Sequence, residues 1–343
     1  MSMCHCTIIP KDVLDKLSKD TSLSQASRQN FKSTIKIDGA FRTMRAQALT
    51  LSGARTGTMA ALPMTATAPS ILVYDCKHSQ NLPGAPVPGA ATSADPSVHN
   101  AQGMAQKVAE FYKAAFGRNS VDNGGMTILS SVHFGHLYNN AFWNGGQMVY
   151  GDGDGDIFVD FTKGNDVICH ELTHGVTQHT LRLNYTNQAG GLNEGLSDIF
   201  GSMFRQWLAG QDYAAADWLI GHDIMGPGAV AKGYSCLRDM ADPAAKHCLA
   251  PQPTNMSQYH SGMDPHYSSG IPNLAFHEAA KRVGGKSWET VGKVWYGAMM
   301  AGASPNMKMA SFAKRTRKVA KASYGLGSTV AAAVDAAWHL VGV

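Results

Sequence analysis

The sequence predicts an α+β protein of two lobes, one strand-rich and one helical, preceded by a short separate segment. Three observations carry that prediction. Between residues 126 and 162, short apolar runs are broken by turn formers at Asn139-Asn140, Asn144-Gly145-Gly146 and the run Gly151–Asp156, as strands are. From about Val167 the apolar residues recur at helical spacing, and the periodic stretches stop at Gly210, Gly284 and Gly325. The first fifty residues differ in charge, with eight Lys or Arg against four Asp, whereas the remainder balances at 21 and 21. The expected division is 1–50 as a separate piece, 51–185 as the β-rich lobe and 186–343 as the helical lobe.

In chain order, Val13, Leu14 and Leu17 give residues 11–19 one apolar helical face. The Thr/Ala/Gly/Pro-rich passage Thr56–Ser70 reads as a linker, and Ile71–Tyr74 followed by the turn Asn81–Pro88 as a strand entering a hairpin. Asp95-Pro96-Ser97 is a helix start, and Met104, Val108, Phe111, Tyr112 and Ala115 continue its inward face.

Composition narrows the function. With 343 residues, 44% hydrophobic and 16% charged, the chain can bury two full cores and is not a disordered polymer. The net charge of +4 sits in the first segment and forms no basic stripe with interleaved aromatics, which argues against nucleic acid. The other dense run, Lys314–Lys318, reads as a solvated helix face. No stretch approaches the ~20 apolar residues of a membrane span, and no basic lead with an apolar run marks a signal peptide. The expectation is a monomer, cytoplasmic or exported without a Sec signal. Six cysteines are too few for a disulfide framework; Cys236 and Cys248 flank a loop that a bridge would close, and their pairing is left open.

The chemistry concentrates in His170-Glu171-Leu172-Thr173-His174. On a helix, residues four apart share a face, so both imidazoles reach one ion, and Glu171 between them is placed to take a proton from activated water. Catalytic zinc takes three protein ligands and keeps one position open. A third ligand is offered in Asn193-Glu194-Gly195-Leu196-Ser197-Asp198, where Glu194 and Asp198 lie one turn apart. One carboxylate can bind the ion while the other holds the ring N–H of His170. Cys169 beside His170 points about 100° away round the helix and reads as packing rather than as a nucleophile.

The segment VICHELTHGVTQHTLRLNYTNQAGGLNEGLSDIFG, with LYNNAFWNGGQMVYGDGDG before it and LRDMADP and PHYSSGIPNLAFHEAA after it, resembles thermolysin-like metallopeptidases. The resemblance runs in family order from about Asp75 to the C-terminus. It implies the thermolysin fold, a β-rich and a helical lobe joined by the helix that carries His170 and His174. It implies zinc held by His170, His174 and Glu194, Glu171 as general base and Asp198 behind His170. Tyr185 and His266 match the donors to the tetrahedral intermediate, Asn140 and Ala141 the edge that aligns substrate backbone, and Arg238 the arginine on a substrate carbonyl. Val167 and Leu237 match the apolar pocket after the scissile bond. The implied activity is endopeptidase cleavage of polypeptides before apolar residues. A catalytically silent metal-binding protein and an exopeptidase are the alternatives.

The chain departs from the family pattern in three places. Arg205, Leu219 and His222 stand where calcium-binding carboxylates are expected, although Asp166 and Asp217 remain, so the paired calcium site is expected to be absent. The acidic partner of His266 is replaced by Ser261, leaving Asp264 as substitute, and Ser268 replaces an expected Asn. Finally, CTIIPKDVL resembles the short prosegment of protealysin-like enzymes, with Pro10 and Leu14 as the docking element. That likeness implies a first segment that occupies the cleft and is cut off near residues 45–55, its positive charge drawn to the carboxylate-bearing site. Cys4 or Cys6 reaching the zinc is the alternative plug.

Overall fold

The structure, a computed structural model, describes residues 6–52 and 68–343. Cys4, residues 53–55 of the expected cut region and most of the expected linker lie outside these residues, and Cys6 is described by its backbone alone.

The first segment comprises strand β1 (Cys6–Thr7) and helices α1 (Lys11–Lys19) and α2 (Gln25–Ser52). Pro10 caps α1 with extended backbone, and Val13, Leu14 and Leu17 are buried as their spacing implies. The length of α2 was not legible in the sequence, for a physical reason. Its inward positions Phe31, Thr34, Ile37 and Asp38 follow helical spacing, but two of the four are polar, so the apolar stripe is broken.

The β-rich lobe contains β2 (Ile71–Asp75), β3 (Ala85–Pro86), helix α3 (Pro96–Phe116), β4 (Ile128–Val132), β5 (Ala141–Trp143) and β6 (Met148–Tyr150). Asp95 caps α3 by accepting from the Ser97 and Val98 amides, with Pro96 in the first turn. One sheet runs β1-β5-β6-β4-β2-β3, with β2–β4 and β4–β6 parallel and the other pairs antiparallel. The first segment thus contributes the edge strand, pairing Thr7 with Phe142.

Helices α4 (Asn165–His179) and α5 (Asn187–Ala209) follow, packed along each other. The helical lobe continues through β7 (Leu219–Ile220), α6 (Pro227–Ala231), β8 (Arg238–Asp239), α7 (Pro265–Ser268), α8 (Gly270–Val283), α9 (Val291–Met299), α10 (Met309–Tyr324) and α11 (Thr329–Leu340). Gly210, Gly284 and Gly325 end α5, α8 and α10 at positive φ, as the sequence indicates. Residues Asp166–Thr177 of α4 are buried without interruption, so this helix is the central element on which both lobes pack.

Two glycines set the approach of neighbouring elements to α4 and α5. A Cβ on Gly175 would lie 2.5 Å from Val121 and 3.1 Å from the Trp143 ring, so its absence lets α4 lie against β5. A Cβ on Gly191 would lie 2.3 Å from Ser268 Oγ, so glycine there lets α7 seat against α5.

Three further readings meet the structure here. Cys236 and Cys248 are both free and buried, their sulfurs 3.6 Å apart, so they form no disulfide. The Gly151–Asp156 run is a turn closed by Asp154, whose Oδ1 accepts from the amides of Asp156, Ile157 and Phe158. The Arg205 guanidinium stands 3.1 Å from Asp217 and 3.6 Å from Asp223, so a cationic side chain occupies the acidic neighbourhood. Behind it Asp166 is fully buried and accepts from the amides of Gly221 and Val167.

Candidate active site

Helices α4 and α5 bring His170, His174 and Glu194 together as a wholly buried group. His170 Nε2 and His174 Nε2 are 3.1 Å apart, and each stands 3.4 Å from a Glu194 oxygen. Three donors placed tetrahedrally at ~2.0–2.1 Å from one ion would be about 3.3 Å apart, so the spacing fits zinc.

The hydrogen bonds behind the rings make the same point. Asp198 Oδ1 accepts from His170 Nδ1 at 2.8 Å, and Asn193 Oδ1 accepts from His174 Nδ1 at 3.0 Å, with Ser197 Oγ also at 3.1 Å. Both Nε2 atoms therefore turn lone pairs inward, His174 beside Glu194 Oε1 and His170 beside Oε2, which is buried and has no hydrogen-bond partner. Burial opposes a charge on His170, yet Asp198 and Glu194 overcome it and push its pKa up to about 10, so the trio attracts one positive charge. His174 goes the other way, held down at about 4 by burial.

Glu171 lies on the same turn of α4 with one oxygen fixed and one free. Oε2 accepts from the Trp143 amide at 2.9 Å, while Oε1 is buried without a partner. Burial pushes its carboxyl up to about 8, with His170 pulling the other way. Opposite, Tyr185 donates to Glu194 Oε1 at 2.5 Å and stands 3.2 Å from His266 Nε2. Asp264, capping α7, accepts from His266 Nδ1 at 2.7 Å and so takes the place of the missing acid at Ser261. Cys169 points out of the site and donates to the Phe200 carbonyl.

Asp198 does more than its spacing foretold. Besides His170 it accepts a bidentate pair from Arg238, with Nε and Nη2 each at 2.8 Å, and a bond from Asn273 Nδ2 at 2.8 Å. Burial works against ionisation of Asp198, and Arg238 and His170 outweigh it, holding the carboxyl at about 2. Asn193, Asn273 and the Trp143 amide escaped the sequence reading. Asn193 had a signal in its place beside Glu194, whereas Asn273 and a backbone donor had none.

The first segment lies in this cleft, and its contacts define a register. His266 Nε2 donates to the Thr7 carbonyl at 2.6 Å, and Arg238 Nη1 donates to the Ile8 carbonyl at 3.2 Å. The Ile8 amide donates to the Ala141 carbonyl at 3.1 Å. The Asn140 amide group grips Ile9 on both sides, Oδ1 from the Ile9 N–H at 3.0 Å and Nδ2 to its carbonyl at 3.3 Å. Ile8 is fully buried in the apolar cluster that includes Val167 and Leu237. Pro10 is the cap of α1, and Leu14 is buried beneath it in the same cluster. The backbone contacts with the site therefore come from Thr7, Ile8 and Ile9, which the sequence reading passed over although three β-branched residues in a row suit an extended edge.

Charge draws this segment in less than expected. Lys11, Lys16, Lys19, Lys32 and Lys36 are exposed, Lys16 reaching only the Tyr234 hydroxyl at 3.2 Å, and the charged contacts come from the acids. Asp20 pairs with Lys232 at 2.9 Å, Asp12 accepts from Tyr267, and buried Asp38 accepts from Tyr138 at 2.5 Å and from Asn140 Nδ2 at 3.0 Å. Lysine carries a strongly hydrated charge, so leaving it in water while apolar faces dock is the lower-energy arrangement.

Residues 54–178 match the thermolysin metallopeptidase catalytic domain, and residues 182–343 its alpha-helical domain. An "Extracellular metalloprotease" of Pectobacterium carotovorum subsp. carotovorum is 40% identical over 79% of this chain and 80% of its own length. "Protease PrtS" of Photorhabdus sp. is 37% identical over 79% of this chain and 76% of its own. A match to "Bacillolysin" of Brevibacillus brevis, 36% identical, spans about half of that longer protein (51%). Among solved structures, the precursor of protealysin from Serratia proteamaculans superposes with a TM-score of 0.84 at 36% identity, covering 98% of this chain and 99% of the other. No helix among the described residues is long and apolar enough to cross a membrane. Both lobes match the same family, and the likeness to a precursor extends over nearly the whole chain, so this protein belongs to the thermolysin family of zinc metalloendopeptidases, in its protealysin-like branch.

Proposed function

We propose that the chain is a latent precursor whose first segment, about residues 1–50, blocks the cleft, and whose mature form cuts polypeptides on the N-terminal side of apolar residues. One observation carries this reading: Thr7–Ile9 runs antiparallel to β5 with its carbonyls on His266 and Arg238, as an extended peptide substrate would. Residues 51–185 and 186–343 are then the two lobes of the working enzyme. The silent-protein alternative finds no support in the family match.

His170, His174 and Glu194 would hold the zinc. The ion supplies a Lewis acid that polarises the peptide carbonyl and acidifies water. Glu171, tethered at Oε2, offers Oε1 to take the proton of the attacking water as its oxygen bonds to the carbonyl carbon. The same carboxyl returns that proton to the amine nitrogen as the C–N bond breaks. Tyr185 and His266 donate to the oxygen that becomes negative, where prepositioned donors act most strongly. Burial opposes a charge on His266, but Glu194 and Asp264 outweigh it and raise its pKa to about 9, so the ring carries the proton it donates. Asn140 and Ala141 align the backbone, Arg238 grips the carbonyl after the cut, and Val167 and Leu237, buried like Ile8 in the main apolar core, line the pocket for the residue after the cut.

The test is to purify the full chain, follow its mass during incubation, and assay casein cleavage before and after the first segment is lost. Activity that appears with that loss, and product peptides that begin with Ile, Leu, Val or Phe, are the expected result. Full activity in the intact chain overturns the latency, and products trimmed one residue at a time overturn the endopeptidase specificity.

A further inference from the structure

A second group of metal-ligating side chains lies outside the site just described. Cys236, two residues before β8, forms a parallel bridge with Cys248, where the Leu249 amide donates to the Cys236 carbonyl at 2.9 Å. The same pairing places His247 beside them, with the Ser235 amide donating to the His247 carbonyl at 3.0 Å. Cys236 Sγ is 3.6 Å from Cys248 Sγ and 3.7 Å from His247 Nδ1, and the three ligand atoms converge in one place.

These spacings are too long for a disulfide, whose sulfurs lie ~2.05 Å apart. They do match the edges of a tetrahedral zinc site. With Zn–S at ~2.3 Å and Zn–N at ~2.0–2.1 Å, the sulfurs stand about 3.8 Å apart and each sulfur about 3.6 Å from the nitrogen. The catalytic trio passes the same geometric test with its own donors.

The surroundings also suit an ion. Asp239 Oδ2 lies 3.3 Å from His247 Nε2, the carboxylate that metal-bound histidines commonly carry on their far nitrogen. It holds that proton outward and leaves Nδ1 as an acceptor, 3.7 Å from Cys236 Sγ. The Ser235 hydroxyl, 2.7 Å from Nδ1, occupies its lone pair and would turn aside for an ion, and the half-exposed His247 leaves a path from solvent. Both sulfurs are themselves buried, so the site is formed by the fold and not by a mobile surface.

We propose that Cys236, His247 and Cys248 bind a second zinc ion, structural in role and separate from the catalytic one. Two thiolates and an imidazole select zinc over calcium or magnesium, which prefer oxygen. On binding, each thiol gives its proton to solvent, so one ion enters and two protons leave. The ion ties the two ends of the 236–248 loop together. That loop begins with Leu237 and Arg238, so the clamp steadies the arginine that holds Asp198 and the Ile8 carbonyl.

The experiment uses the full chain, with cobalt exchanged for zinc and absorption recorded in the near ultraviolet. A thiolate–cobalt charge-transfer band is expected in the wild type and lost in Cys236→Ser/Cys248→Ser. The catalytic trio itself contains no sulfur, and a band lent to the catalytic ion by Cys4 or Cys6 would survive the double variant. Zinc content should fall from two per chain to one in the same variant. If the double variant fails to fold, His247→Ala at the half-exposed position must remove the band and the second zinc. A wild type with one zinc and no sulfur band overturns the proposal, as does a band that survives His247→Ala. Loss of two titratable thiols in the denatured wild type, which signals a disulfide, overturns it too.

Discussion

His266 Nε2 donates to the carbonyl oxygen of Thr7 at 2.6 Å, so the ring that faces the cleft is already engaged by the chain's own backbone. Ile8 follows in the apolar pocket and is fully buried. Replacing it by aspartate places an unpaired carboxylate there, at a cost of several kcal/mol. The Ile8→Asp precursor should hydrolyse a quenched fluorescent peptide at least ~10-fold faster than the wild-type precursor while residues 1–52 remain attached. Equal rates with the segment intact would show that Ile8 is not what closes the cleft.

Glu171→Gln keeps the shape of the site and removes the base. A drop of ~10²–10⁴-fold in kcat is expected, with zinc content unchanged. A variant that keeps more than a tenth of wild-type kcat would take the proton-transfer role away from Glu171.

Asp198→Asn tests the residue behind the first histidine. Zinc affinity, measured against a competing chelator, should weaken ~10–100-fold. Because Arg238 loses its buried ion pair in the same step, KM should rise as well. Unchanged zinc affinity would mean that Asp198 only braces Arg238.

The Arg205 guanidinium stands beside Asp217 and Asp223, and the expected outcome is that millimolar calcium leaves the wild-type Tm within about 1 °C. Arg205→Glu restores a carboxylate beside Asp217 and Asp223 and should make Tm rise with calcium. A wild type stabilised by calcium refutes the replacement.

His133 ties the cap of α3 to the Asp154 turn, with Nδ1 2.8 Å from Asp152 and Nε2 2.9 Å from Asp95. Its bond to Asp152 raises its pKa to about 9 against burial, with Asp95 adding to the rise, while the His78 ring lies 5.5 Å away on the Asp152 side. The folded value exceeds the unfolded one of ~6.5. The stabilisation is therefore complete below about pH 6.5 and is lost as pH rises through about 9. Thermal melts should show Tm falling across that window, and His133→Gln should flatten the fall.

The sequence was most legible where a side chain's spacing and its chemistry coincide. His170, His174, Glu194 and Asp198 sit at helical offsets and form one group, and the glycines that end α5, α8 and α10 were visible as plain interruptions of a period. What stayed hidden belongs to pairings between distant segments. No local pattern could tell that the Trp143 amide would anchor Glu171, or that Asn273 would complete the shell of Asp198. Thr7, Ile8 and Ile9 were overlooked for a related reason. A peptide that binds through its backbone leaves little mark in its side chains, whereas Pro10 and Leu14 stand out because they shape α1.

The carboxylate of Asp198 spends one oxygen on His170 and both on Arg238. The proposed holders of ion and substrate, His170 and Arg238, thus hang from a single peg, and a change at either is felt by the other. Drift in specificity has no free path through this pair. Relatives that prefer different residues after the cut should differ instead at the proposed pocket residues Val167 and Leu237, where a side chain can be exchanged without disturbing the peg.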